Sequence, residues 1–388
     1  LTINEDTVHT FTAANFGFTD SADTPSNSLS AIIITALPSS GTLLLSGSPV
    51  IAGQVILAAN IGNLTWTPGA DANGTGLASF TFRVRDDGGT ANGGVDTSVA
   101  VNTITFNVTA VNDAPVNTAP AGGWTTNEDT SVGLTGLSVG DVDAASGAIT
   151  VTLNVGSGTL AGLSAGGVTV TGSGTGTLVL SGTVANLNTY LGATAPQYTP
   201  VGNANGSVTL TMTTNDGGNT GIDPGLTGTA TSEADSDTRT ITITAVNDTP
   251  SLTAPASIAV TEDVAAVIGG ISFADVDAGT SSVTVTLSVA SGTLAAASGG
   301  SVTVVGSGTG TLVLTGTISN INSFIVANNV TFTTALNAAS NVTLTATIND
   351  QGNTGTDPGL SGTATTEQAS ATVTLAVTGV NDAPSGAN

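Results

Sequence analysis

The chain has 388 residues, with 27 aspartates and glutamates against three arginines (Arg83, Arg85, Arg239) and no lysine, for a formal charge of -24. That balance makes nucleic acid and anionic membrane surfaces poor partners. Cysteine is absent, which fits a cytosolic protein or a surface protein stabilised without disulfides.

The opening "LTINEDTVHT" lacks the basic start and apolar centre of a signal peptide, and no later run reaches the apolar length of a membrane span. The sequence therefore reads as a slice of a larger protein that begins inside an array, with no direct membrane insertion. Its first segment ends in "TAVNDAP" (Thr109 to Pro115), a phrase that returns as "TAVNDTP" (Thr244 to Pro250) and "TGVNDAP" (Thr378 to Pro384). Asp113 lies 135 residues before Asp248, and Asp248 lies 134 before Asp382. Glu128 and Glu262, Asp141 and Asp275, Asp143 and Asp277, and Asp216 and Asp350 keep the same 134-residue step. The expected organisation is three repeats, 1–114, 115–249 and 250–384, with 385–388 beginning the next linker. Each is long enough to bury a core of its own.

Along each repeat the pattern is β. Segments such as "SVTVTLSVA", "NVTLTATIND" and "ATVTLAVTGV" alternate β-branched apolar residues with threonine, and Gly, Asn and Ser clusters separate them at hairpin distances. The fold class expected is all-β, three tandem β-sandwich domains arranged end to end. "TVANLNTYL" (Thr183 to Leu191) and "TISNINSFI" (Thr317 to Ile325) place apolar residues near i, i+3 and i+7, predicting a helical turn or two. The 3% aromatic content predicts aliphatic cores. Trp66 and Trp124 read as core or linker packing rather than sugar platforms. "GSGTGTLVL" lacks Gly-Lys-Ser/Thr and reads as a hairpin, not a phosphate loop. "SEADSD" (Ser232 to Asp237) reads as a solvated long hairpin.

The acids recur in a fixed order. Repeats two and three each carry an early glutamate (Glu128, Glu262), Asp-x-Asp (Asp141 and Asp143; Asp275 and Asp277), Asn-Asp-x-Gly (Asp216; Asp350) and the terminal Asn-Asp-x-Pro. In a sandwich these positions fall at strand ends and loops, so the carboxylates gather at the domain poles. Each close pair repels by about 1 kcal/mol in water and several-fold more when partly buried. With three arginines in the chain, an internal salt-bridge network cannot neutralise them. A hard cation coordinated by oxygen, Ca2+ above all, suits Asp, Glu and Asn in loops. Zinc and copper call for His or Cys, and His9 stands alone. The competing reading of Asn-Asp-x-Pro is an ordinary turn. No nucleophile has a base beside it in the pattern, so no enzyme activity is expected.

The order Glu, Asp-x-Asp, Asp-x-Gly, Val-Asn-Asp-Ala-Pro resembles the cadherin calcium pattern, and the "VNDAP" linkers resemble the cadherin-like tandem repeats of large bacterial surface and adhesin proteins. "LTWTPGADANGTGLASFTFRVRDDGG" (Leu64 to Gly89) is similar to such repeats as well. The resemblance implies an Ig/cadherin-like fold and calcium held between consecutive repeats. It implies Glu5, Asp71, Asn73, Asn112, Asp113, Asp141, Asp143 and Asp216 as ligands at the first junction. At the second it implies Glu128, Asn205, Asn247, Asp248, Asp275, Asp277 and Asp350. The pattern departs in the linker, which lacks one asparagine before Ala-Pro, and in Asn203-Ala-Asn205, where an acid pair is expected; one or two ions per junction follow rather than three. In repeat one the Asp-x-Asp has become Asp20-Ser-Ala-Asp23, and the half-sites at Asp20/Asp23 and at Glu262, Asn381 and Asp382 face domains outside the sequence.

The function so implied is a calcium-rigidified extracellular rod of a bacterial adhesin or surface filament, cell-surface or secreted. Its partners are calcium and neighbouring repeats, with other copies of the chain, surface glycans or proteins as further candidates. The alternatives are a self-polymerising filament subunit and a glycan-binding module.

Overall fold

The computed structural model describes residues 1–144, 146–218, 221, 233–352, 355 and 367–382. The 385–388 segment expected to open a further linker lies outside them, as does Ser232 of the acidic stretch. The described chain is all-β with two short helices and three 3-10 turns, folded as tandem β-sandwiches. By backbone contacts it divides into two compact units, Leu1–Gly122 with Gly133–Tyr198 and Thr209–Arg239, and Gly123–Val132 with Thr199–Val208 and Thr240–Asn388.

In the first unit, Thr2–Asn4 pairs in parallel with Asn102–Thr109, which continues through Gly74–Asp86 and Leu29–Ala36 to Val55–Leu57 in a five-stranded sheet. A four-stranded sheet of His9–Thr10, Leu64–Thr67, Thr42–Leu45 and Ser48–Pro49 faces it. Between the two lies an aromatic cluster, contrary to the aliphatic core that the overall composition predicts. Trp66 stacks on Phe106 at 3.8 Å and 9°, and Phe11, Phe16, Phe80 and Phe82 pack around them. Six aromatics share this one core, a local density that a chain-wide average concealed. His9 stands edge-on to Phe11, and its burial lowers its pKa from the ordinary imidazole value. Further along the same unit, Ala148–Val155 pairs antiparallel with Thr177–Thr183 and, from Thr150↔Asn215 to Val155↔Leu210, with Gly206–Asn215.

The second unit contains a complete sandwich. Its six-stranded sheet runs Ser257–Thr261, Gln368–Thr378, Val342–Asn349, Ser282–Val289, Thr311–Thr317, Thr303–Val305, against a three-stranded sheet of Ala266–Val267, Thr331–Thr333 and Thr293–Ala295. Ser282–Val289 shows why the alternation folds this way: Val283, Val285 and Leu287 are fully buried, while the threonines and serine between them turn outward. This core is aliphatic with three phenylalanines, Phe273, Phe324 and Phe332, beside Leu, Ile and Val. Trp124, at the start of a strand paired in parallel with Ala234–Thr244, is 7% exposed and also packs inward.

The glycine-rich phrases are hairpins. Thr169–Thr171 folds back on Thr177–Thr183 and Thr303–Val305 on Thr311–Thr317. At Gly172 and Gly306 φ is near +80° and an added Cβ meets the Thr177 or Thr311 carbonyl oxygen at 2.2 Å, so only glycine fits the turn. Of the acidic stretch, Asp235 lies on Ala234–Thr244 and is tied inward: Asn117 donates its backbone N–H to Asp235 Oδ2 at 2.7 Å.

The two predicted helical turns are full helices, α1 (Val184–Ala193) and α2 (Ile318–Val326). Thr183 and Thr317 cap them by accepting from the Asn186 and Asn320 amides. Leu187, Tyr190 and Leu191, and in α2 Ile321, Phe324 and Ile325, face the core at i, i+3, i+4 spacing. On each helix one asparagine reaches back to a strand. Asn188 pairs with both backbone groups of Val139 at 2.9 and 2.8 Å, and Asn322 does the same to Phe273. These clamps fix Ser138–Gly140 and Ser272–Ala274, the strands that lead directly into Asp141 and Asp275. Asn322→Ala leaves two backbone groups of Phe273 without their partner and is expected to lower stability by about 1–3 kcal/mol, read as a shifted midpoint in urea denaturation followed by circular dichroism.

Candidate metal centre

The early glutamate is delivered by a strand whose parallel pairing with the strand that ends at the linker carries it there. Glu5 follows Thr2–Asn4, and its N–H donates to Thr109 O; Glu128 follows Trp124–Asn127, and its N–H donates to Thr244 O. Both side chains are buried, at 1% and 3% exposure. Each holds its linker through one oxygen: Val111 N–H donates to Glu5 Oε1 at 2.6 Å, and Val246 N–H to Glu128 Oε1 at 2.5 Å.

The linker acids turn the other way. Asp113 N–H donates to Asp143 Oδ2 at 2.6 Å and Asp248 N–H to Asp277 Oδ2 at 2.5 Å. Asn112 donates its side-chain N–H to Asp216 Oδ2 at 3.1 Å and Asn247 to Asp350 Oδ2 at 3.0 Å. Asp141 and Asp275 close their own loops, each accepting through Oδ1 the N–H of the second aspartate and of the following alanine. Asn112, Asn247, Asp216 and Asp350 are nearly inaccessible.

The structure thus brings together Glu5, Asp113 and Asp143, which each offer one ligand atom within 4.8 Å of the others. A second group of the same tightness joins Asp6, Asp71 and Asp113. Asn73 donates to Glu5 Oε2 at 2.9 Å. Asn205, its counterpart by position, is exposed and makes no hydrogen bond to Glu128. Asn203 occupies the place of Asp71, with its N–H donating to Asp129 Oδ1 at 2.9 Å as Asp71 N–H donates to Asp6 Oδ1 at 3.3 Å. Asp71 and Asn203 share a left-handed backbone, φ 55° and 56°, a conformation that Asp and Asn tolerate better than other side chains.

Asp6 and Asp129 are absent from the ligand set that the resemblance implied; their signal was the Glu-Asp dipeptide at 5–6, 128–129 and 262–263. Gly221 and Gly355 were also missed. Each lies flat on a linker: a Cβ on Gly221 meets Asn112 N at 2.6 Å, and one on Gly355 meets Val246 C at 2.7 Å. Outside the two junctions, Asp20 and Asp23 accept from Asn27, and Glu262 accepts from the Val380 N–H.

The electrostatics are those of crowded acids. Burial raises the Asp113 pKa above the ordinary carboxylate value, and the charges of Asp143, Asp71, Asp6 and Glu5 add to the rise. Asp143, Asp248 and Asp277 are raised too, first by burial, then by neighbouring acids that in each case include Glu5 or Glu128. One oxygen each of Asp113, Asp141, Glu128, Asp248 and Asp275 is buried without a hydrogen-bond donor. A desolvated carboxylate oxygen facing other carboxylates is costly unless a cation meets it. The donor set is all oxygen, with no imidazole or thiolate, and so fits a hard divalent ion rather than zinc or copper.

Comparison with known proteins places this geometry in context. Residues 1–98 match the family model described as "Bacterial Ig domain". No curated protein matches the chain. Among solved structures the chain is similar to the protocadherin gammaB7 EC3-6 cis-dimer at 13% identity and TM-score 0.38, covering 93% of this chain and 67% of that one. It is similar to human CDH23 EC21-23 at 15% identity and TM-score 0.36, covering 89% and 88%. A three-Ig titin structure, an E-to-A mutated variant, aligns at 9% identity and TM-score 0.26 over 91% and 100%. The chain is built of tandem β-sandwiches, and its opening 98 residues match the bacterial Ig domain model. Among the described residues no helix is long and apolar enough to cross a membrane.

The raised carboxyls set a pH signature. Their folded pKa values lie above the unfolded ones, so the stability they contribute is present at acid pH and is lost as pH rises through the folded values. In calcium-free buffer the melting temperature is expected to rise as pH falls from about 7 toward the carboxylate range near 4. Asp113→Asn and Asp248→Asn, which remove two of these groups, are expected to flatten that rise in a thermal melt.

Proposed function

We propose that this chain is a calcium-rigidified extracellular repeat region of a bacterial adhesin or surface filament, a structural rod that spaces a binding element from the cell. In this reading it comprises three repeats, 1–114, 115–249 and 250–384. Calcium at the first junction is held by Glu5, Asp71, Asn112, Asp113, Asp141, Asp143 and Asp216, with Asp6 added. At the second it is held by Glu128, Asn247, Asp248, Asp275, Asp277 and Asp350, with Asp129 added.

The observation that carries the proposal is the set of buried carboxylate oxygens without a donor, those of Asp113 and Asp141 at the first linker and of Glu128, Asp248 and Asp275 at the second. Acids from both sides of the linker converge there, so one ion bonded to them converts a short hinge into a stiff joint. Without the ion, inter-domain motion is the default for small interfaces. Extracellular modules of this kind bind calcium at about 10⁻⁴ to 10⁻³ M, a level that favours a site outside the cytosol. The match of residues 1–98 to a bacterial Ig domain agrees with a surface protein.

Small-angle X-ray scattering of the chain in millimolar calcium and in excess chelator tests the rod. A long, sharply defined maximum dimension that broadens or shortens on chelation is the expected result. Superimposable profiles would reduce the acids to turns and solvated surface.

A further inference from the structure

Resting on the calcium reading, we propose that the two junctions are unequal calcium switches: the Glu128 junction depends on the cation to hold its linker, whereas at the Glu5 junction the Asn73 amide partly stands in for it.

The two glutamates do the same work with one oxygen and different work with the other. Through Oε1 each holds the linker amide of Val111 or Val246. At Glu5 the second oxygen accepts the Asn73 side-chain N–H at 2.9 Å. At Glu128 the second oxygen is buried with no donor, although the residue is only 3% exposed. The charge of Glu128 adds to the raised pKa values of Asp248 and Asp277, so its bare oxygen adds to an acid-crowded pole. Asp113 and Asp141 leave the same oxygens unmet as Asp248 and Asp275 do; the first junction also carries Asp71 where the second has Asn203, so the Asn73 amide acts there against a larger acid charge.

An amide N–H satisfies a carboxylate lone pair and offsets part of its charge, whereas an unmet buried charge bears its full desolvation cost. A cation arriving at the second junction removes that cost at Glu128. At the first it must compete with Asn73 for Glu5 Oε2, and its departure leaves the glutamate still partnered. Loss of calcium therefore releases the 244–250 linker before and further than the 109–115 linker.

Hydrogen–deuterium exchange of the whole chain, from chelator to millimolar calcium, reads both linkers separately. Chelation is expected to raise exchange in the peptide containing Val246 by roughly tenfold more than in the peptide containing Val111, since exchange follows local opening. Asn73→Ala is expected to bring the 109–115 peptide to the same chelator sensitivity and to leave its protection in millimolar calcium unchanged. Asn205→Ala is expected to change neither linker. Glu128→Gln removes the buried charge and is expected to abolish the calcium response at 244–250 while raising protection there in chelator. Equal calcium responses at the two linkers, or an Asn73→Ala chain that matches the parent in chelator, overturn the inequality and leave the calcium reading standing. No calcium response at either linker overturns both.

Discussion

The repulsion among carboxylates gathered around two short linkers is the constraint on which the rest depends. Each linker is held on one side by a buried glutamate and on the other by an aspartate of the following Asp-x-Asp, and both contacts run through backbone amides of the linker itself. Those amides satisfy one oxygen of each of these acids; the second oxygen of Glu128 is left buried and bare, as is one oxygen each of Asp113, Asp141, Asp248 and Asp275. Such a pole is held in place by protein hydrogen bonds and opened by its own charge, which is the condition for control by a small cation.

The sandwiches serve that arrangement by rigid placement. Parallel pairing of the strand before each glutamate with the last strand brings the glutamate to the point where the last strand ends and the linker begins. The asparagine clamps of α1 and α2 fix the strands that present Asp141 and Asp275. Gly221 and Gly355, without room for a Cβ, lie against the linker backbone. Threonine-rich strands supply the scaffold with few charges, leaving the acids concentrated at the poles, where their mutual field is strongest.

Near-identical sequence still yields local difference. Asp71, Asn203 and Asn337 share a left-handed backbone, but only the first adds a charge. Asn73 and Asn205 occupy corresponding positions, yet only Asn73 reaches its glutamate. Small departures at these loop positions are enough to give each junction a different balance of donors and charge, while the framework around them stays constant.

Much was determined by the sequence alone. Period-two alternation dictated strands, the 134-residue step dictated repetition, and the co-repeating acids with almost no bases dictated carboxylate clusters without internal countercharge, because these follow from local geometry and from counting. The two helices were legible from their i, i+3, i+7 spacing, though not their full length, which capping by Thr183 and Thr317 settles. Only the tertiary structure decided which oxygen of each acid is spent on a backbone amide and which is left bare. It alone brought Asp6 beside Asp71 and Asp113, gathered Trp66 and five phenylalanines into one core, and separated Glu5 from Glu128 in what meets their second oxygen. The physical reason is that desolvation and hydrogen bonding depend on distances between residues as much as 118 positions apart in the chain, such as Glu128 and Val246, and no local pattern encodes those.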